Sequence, residues 1–97
     1  MVDDMVDTAG TLTQAAIALK KQGARSVHAY CTHAVLSGPA IERLSTSEID
    51  RLIVTDSIHL NEEARKCDRI EVRSISGLIA KTIRRIYLGE SVSSLFI

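Results

Sequence analysis

The sequence predicts an α/β fold, an incomplete doubly wound parallel sheet flanked by helices. Helical and strand-like stretches alternate along all 97 residues. The run Arg51-Leu52-Ile53-Val54-Thr55 is short and apolar, as strands of buried parallel sheets are. Apolar residues make up 45% of the chain against one Pro and five Gly, which excludes disorder. The length suits one small domain or part of a larger one. A chain of this size buries only about two-thirds of its unfolded surface, so its stability is marginal without partners.

Met1-Val2 reads as the end of a first strand, followed by a polar loop over residues 3–11. A helix is expected over 12–22. Thr11 and Gln14 have capping-box spacing at its start, and Gly23 suits the left-handed position after its end. Small residues such as Ala15, Ala16 and Ala18 would let this helix approach a sheet closely. Residues 26–32 have β-formers in the middle and read as the second strand. Ser37-Gly38-Pro39 starts a short helix, and residues 51–55 form the third strand. Asn61 followed by Glu62 and Glu63 marks the start of a helix to about Cys67. Residues 70–73 alternate apolar and charged, as an edge strand does. Ser76 can cap a last helix whose Ile79, Ile83, Ile86 and Tyr87 share one face before Gly89 ends it. That stripe is expected to be core or a subunit contact. Residues 90–97 show no helical period.

The formal net charge is zero, so the sequence makes no electrostatic case for nucleic acid or a membrane surface. Three aromatics, Tyr30, Tyr87 and Phe96, do not make a base-stacking platform. Two widely separated cysteines, Cys31 and Cys67, read as free thiols in a reducing compartment. Without a signal peptide or a transmembrane run, the expected location is cytoplasmic.

Chemical information concentrates between Val2 and Thr11. A strand end runs into Asp3-Asp4, then Asp7-Thr8-Ala9-Gly10-Thr11, then a helix. The loop N–H groups, the helix N-terminus and the hydroxyls of Thr8 and Thr11 can surround a phosphate. Gly10 would let backbone approach the anion without a Cβ between them. Asp3 and Asp4 would repel that phosphate, so they belong at the ligand's far end, accepting hydrogen bonds from vicinal sugar hydroxyls. The bland alternative is an Asx-turn leading into a capped helix.

The segment from Val2 to Thr11 resembles the phosphoribosyl pyrophosphate motif of type I phosphoribosyltransferase-fold proteins. Three further segments, residues 32–40, 54–58 and 89–96, resemble successive parts of the ribose-phosphate pyrophosphokinases. The likeness covers the whole chain and implies a partial type I phosphoribosyltransferase-like fold. It implies that residues 1–97 are the C-terminal part of a ribose-5-phosphate-binding domain in a larger enzyme. That enzyme transfers diphosphate from ATP to ribose 5-phosphate, with Mg2+ accompanying ATP. Asp3 and Asp4 would address the ribose hydroxyls, and Asp7, Thr8, Ala9, Gly10 and Thr11 would wrap the 5-phosphate. Ser91, Val92 and Ser93 match a tail segment that helps form a regulatory site between subunits, with phosphate or ADP as effector. The complete enzyme is expected to be a homo-oligomer, a hexamer by the likeness. Its ATP-binding elements and basic catalytic residues are expected upstream of Met1, leaving the isolated chain inactive. A phosphoribosyltransferase fragment and a non-catalytic regulatory paralogue remain as alternatives.

His28, His33 and His59 with Cys31 invite a metal reading. Cys31 and His33 share a strand face, but no second pair with structural-zinc spacing exists, so no metal site is expected. His33, at a strand end beside the loop, is the one histidine singled out. Lys81, Arg84 and Arg85 are read as solvated charges favourably placed against a helix dipole.

Overall fold

Four parallel strands lie side by side in chain order, β1 (Val2–Val6), β2 (His28–Ala34), β3 (Arg51–Thr55) and β4 (Ile70–Arg73). The computed structural model describes residues 1–96, so Ile97 at the end of the expected aperiodic tail lies outside it. Between the strands run α1 (Gly10–Lys21), α2 (Ala40–Ser45) and α3 (Glu62–Lys66). After β4 come α4 (Ser76–Tyr87) and a single 3-10 turn, Ser93–Phe96.

Each crossover moves one strand in the same direction, so right-handed connections put α1, α2 and α3 on one face of the sheet. Burial agrees: Ala29 and Cys31 of β2 and Leu52 and Val54 of β3 are buried in one cluster with Ala16, Leu44 and Ala64 from the three helices. The alternate residues, among them Tyr30 and Ile53, line an open depression on the other face. Among the described residues the parallel sheet is flanked by helices on one face, so the expected α/β fold stands, with the second helical layer of a doubly wound sheet as its incomplete part. The strands alternate because pleating sends successive side chains to opposite faces.

β3 and β4 fall on the expected residues, and β4 is an edge, where Glu71 pairs with Arg73 at 3.0 Å. β1 is longer than expected. Pairing with Tyr30 to Ala34 of β2 carries it through Asp3 and Asp4 to Val6, overriding the poor strand preference of aspartate. β2 starts and ends two residues later than expected, for the same reason of register.

The helix ends divide into two kinds. Asn61 accepts the N–H of Ala64 at 2.8 Å, as its position implied. Thr11 and Ser76 are not caps: α1 begins at Gly10 and α4 begins at Ser76 itself, so both residues lie inside the helix. At the other ends, Gly23 (φ 100°) and Gly89 (φ 70°) adopt the left-handed conformation. Each closes a Schellman motif, with Ala24 N–H reaching Leu19 O and Glu90 N–H reaching Arg85 O.

α4 stands apart. None of its residues is buried, so its apolar stripe is not core in this chain. The body plus this arm measures 50 × 31 × 18 Å with a radius of gyration of 15.9 Å. A compact chain of this length would have a radius near ~12.5 Å.

Candidate functional site at the end of the first strand

β1 delivers the chain to its carboxyl end, where Asp7-Thr8-Ala9 turns into α1. Open parallel sheets bind ligands at that end. The carbonyl groups of this turn are tied back into the protein. Val6 O accepts the N–H groups of Val35 and Leu36 at 3.0 and 3.2 Å, and Asp7 O accepts that of Ser37 at 3.0 Å. Thr8 O accepts from Arg43 Nη1 at 3.0 Å. Ala9 O accepts the Thr13 hydroxyl at 2.8 Å. The Ser37 hydroxyl also donates to the Asp7 carboxylate. By contrast, the N–H groups of Thr8, Ala9, Gly10, Thr11 and Leu12 have no intramolecular acceptor among the described residues.

Ala9 is the hinge of this arrangement. It is buried and left-handed at φ 63°, which is uncommon for a residue with a Cβ. A left-handed residue at a helix start turns successive N–H groups toward one side, forming an anion-binding concavity backed by the positive end of a 12-residue helix. With its acceptors occupied and its donors free, the turn is chemically one-sided. It can receive an oxyanion and offers little to a cation.

Gly10 has a further part beside the expected one. A Cβ there would lie 3.0 Å from Arg43 Nη1, so the missing side chain makes room for the guanidinium. Sequence reading missed Arg43, because an arginine in a short helix 35 residues after Thr8 has no local signature. The sequence marks Ser37 only as part of a helix start, whereas in the structure its hydroxyl ties the loop after the second strand to Asp7.

Asp3 and Asp4 sit on β1 rather than in the loop, with exposed side chains. As consecutive strand residues they point to opposite faces. Asp3 is in register with Cys31, and its carboxylate accepts the N–H of Asp4 at 2.8 Å. Burial pushes the Cys31 thiol up, and the charges of Asp3 and Asp4 push the same way. Asp4 lies three residues before Asp7, about 10 Å at ~3.3 Å per strand residue.

The neighbouring loops at this end are also cross-linked. His33 Nδ1 is 2.9 Å from the Ser57 hydroxyl, while the Thr55 hydroxyl donates to Thr32 O at 2.6 Å. Asp56 accepts from the Ser74 hydroxyl and from Ile75 N–H, and these two bonds hold its carboxyl below the usual range. His33 lies within β2 and engages Ser57, one strand away from the Asp7–Thr11 turn. Cys31 donates to the carbonyl of His33. No three His, Cys, Asp or Glu side chains gather as a metal group among the described residues.

In the tail, the hydroxyls of Ser91 and Ser93 are 2.9 Å apart, and Val92 is half-buried. Arg85 corrects the solvated reading of its cluster. Its Nη1 donates to Ser91 O at 3.0 Å and to the Ser94 hydroxyl, tying the tail back onto α4. Among the described residues no helix is long and apolar enough to cross a membrane.

Comparison with known proteins adds identity to this geometry. The chain is 58% identical over its whole length to a ribose-phosphate pyrophosphokinase of Xylella fastidiosa, spanning 30% of that protein. A protein of the same description from Neisseria meningitidis is 57% identical over 96 residues, of which this chain spans 29%. The crystal structure of phosphoribosylpyrophosphate synthetase from Mycobacterium smegmatis matches 91% of this chain and 29% of its own, with a TM-score of 0.85 at 38% identity. This chain thus spans about 30% of the length of the relatives it matches, and the family model of the phosphoribosyl synthetase-associated domain matches residues 1–97. The chain belongs to the phosphoribosyl synthetase-associated domain family.

Proposed function

We propose that this chain supplies the ribose-5-phosphate site of a ribose-phosphate diphosphokinase. In that reaction the anomeric hydroxyl of ribose 5-phosphate attacks the β-phosphorus of ATP and AMP leaves. The observation that carries the reading is the one-sided turn, whose free N–H groups run from Thr8 to Leu12 while its carbonyls are bound internally. The hydroxyls of Thr8 and Thr11 add donors for the 5-phosphate. Asp3 and Asp4, upstream on β1, take the ribose hydroxyls, so the ligand lies along the strand end with its phosphate toward α1. Because the two carboxylates face opposite ways, one of them makes the larger contribution.

This chain's residues bind and orient the acceptor sugar, which is much of what phosphoryl-type transfer asks of a protein. ATP is assigned to the rest of a complete enzyme. Mg2+ comes with ATP and would neutralise its phosphates. Among the described residues no three His, Cys, Asp or Glu side chains gather to hold a resident ion. A homo-oligomer, hexameric by the family likeness, with a regulatory tail at Ser91, Val92 and Ser93 answering to phosphate or ADP, belongs to the same reading. So does a cytoplasmic location.

The test uses a full-length protein carrying this segment. Thr8→Ala and Thr11→Ala should each weaken ribose 5-phosphate about tenfold and erode its preference over free ribose, since bonds to charged groups are worth ~1.5–3 kcal/mol. Asp3→Asn and Asp4→Asn should instead erode the preference over 2-deoxyribose 5-phosphate. If all four variants bind and turn over as wild type does, the loop is a helix start and nothing more.

A further inference from the structure

We infer that Arg43 is a positioning residue for the phosphate turn, acting on the ligand through the Thr8–Ala9 peptide. This deepens the proposed function and rests on it. Arg43 comes from α2, the helix after the neighbouring strand, and lies on the surface. Its Nη1 reaches the carbonyl of Thr8 at 3.0 Å and occupies the space left by the absent side chain of Gly10.

The location of that bond matters. A peptide plane carries its carbonyl and the next residue's N–H on opposite sides. Holding Thr8 O toward α2 therefore holds Ala9 N–H toward the proposed anion. Release of Thr8 O would let the peptide turn over, presenting a carbonyl oxygen to a phosphate and withdrawing a donor. Ala9 is the residue where such a turnover is easiest, since its left-handed conformation costs about 1 kcal/mol or more and a flip would relieve it. Thr13 fixes the carbonyl after Ala9, so the peptide on each side of the strained residue has its own clamp. Arg43 supplies the one that comes from outside α1.

The test is steady-state kinetics of a full-length protein carrying this segment. Arg43→Met keeps most of the side-chain bulk and removes the donor. It should raise KM for ribose 5-phosphate tenfold or more while leaving kcat at saturation and KM for ATP within about twofold. Arg43→Lys, which can still donate to Thr8 O, should recover most of the loss. Gly10→Ala pushes the guanidinium away with the arginine intact, so its effect should not add to that of Arg43→Met. An unchanged KM in Arg43→Met, with Thr8→Ala and Thr11→Ala raising it, overturns the inference and leaves the site standing. Additive effects of Gly10→Ala and Arg43→Met, or no recovery by lysine, overturn it equally. An unchanged KM in Thr8→Ala and Thr11→Ala as well removes the site and the inference with it.

Discussion

α1 and α4 are both 12-residue helices ending in a Schellman glycine, yet they stand in opposite relations to the protein. α1 lies on the sheet with Ala16 fully buried, and its first turn helps build the candidate site. α4 carries the cleaner apolar stripe and buries nothing, with Ile83 at 62% and Ile86 at 66% exposure. Of the α1 alanines, Ala16 alone is buried and lets the helix backbone come close to a sheet already beside it, while Ala15 and Ala18 are exposed. The isoleucines of α4 define a face for which the described residues offer no partner. Amphipathic pattern thus states which side of a helix is to be covered, and says nothing about whether the cover is in the same stretch of chain.

The largest contrast should appear in core truncation. Leu52→Ala removes a fully buried side chain from the strand beneath the helices and should cost about 2–5 kcal/mol in urea unfolding. Ile83→Ala should stay within about 0.5 kcal/mol, because surface truncations far from core features usually do. Equal costs would show that α4 is packed in solution and end the contrast.

Arg69 offers the next largest effect. Its Nη1 donates to the carbonyls of Leu44, Ser47 and Ile49 at 3.0, 2.7 and 3.1 Å, joining α2 to the start of β3. Arg69→Met should lower body stability by about 2 kcal/mol, as loss of bonds to a charged donor does. Hydrogen exchange in α4 should be unaffected.

Exposure of the α4 stripe and of the bare sheet face predicts that the chain self-associates. Ile83→Asp with Ile86→Asp should weaken that association at least tenfold in sedimentation velocity, without lowering the unfolding midpoint measured at a dilution where the wild-type chain is monomeric. A wild-type chain that remains monomeric at high concentration would count against both surfaces as contacts.

The two Schellman glycines make a smaller, cleaner pair. Gly23→Ala forces an L side chain into a left-handed position in the body and should cost about 1 kcal/mol of global stability. Gly89→Ala carries the same local strain, but it should appear only as faster amide exchange in the last turn of α4.

The smallest effect is acid weakening of the junction between the two regions. Asp56 binds the Ser74 hydroxyl and Ile75 N–H just before α4, and its folded pKa lies below its unfolded value. Its contribution is therefore full above the unfolded pKa of about 4 and is lost as pH falls through the folded value. Protection of the Ile75 amide should drop on going from about pH 5 to below pH 3, and Asp56→Asn should remove that dependence. Asp50, held low mainly by Val27 N–H, should show the same sign within the body.

The legible parts of this molecule were those set by short-range chemistry. Residues 51–55 and 70–73 are strands because apolar and alternating runs of that length have few other uses. Asn61 caps and Gly23 and Gly89 terminate, because only a few neighbouring atoms decide these conformations. The position of the turn at a strand's carboxyl end was legible too, from Asp7-Thr8-Ala9-Gly10-Thr11 running into helical text. Local preference places Asp3 and Asp4 in the loop, because aspartate is a poor strand residue. Their pairing with β2 depends on a segment almost 30 residues away.

By itself the sequence determined the alternation of elements, the breakers that separate them and the motif at the start of α1, all matters of nearest neighbours along the chain. Tertiary structure decided which donors and acceptors in that motif stay free. Arg43, Ser37 and the N–H groups of Val35 and Leu36 reach the turn from across the sheet and take up its acceptors, and no local propensity encodes that. It also decided that one sheet face and the α4 stripe remain bare among the described residues, because burial belongs to a pair of surfaces and the sequence pattern describes one surface at a time.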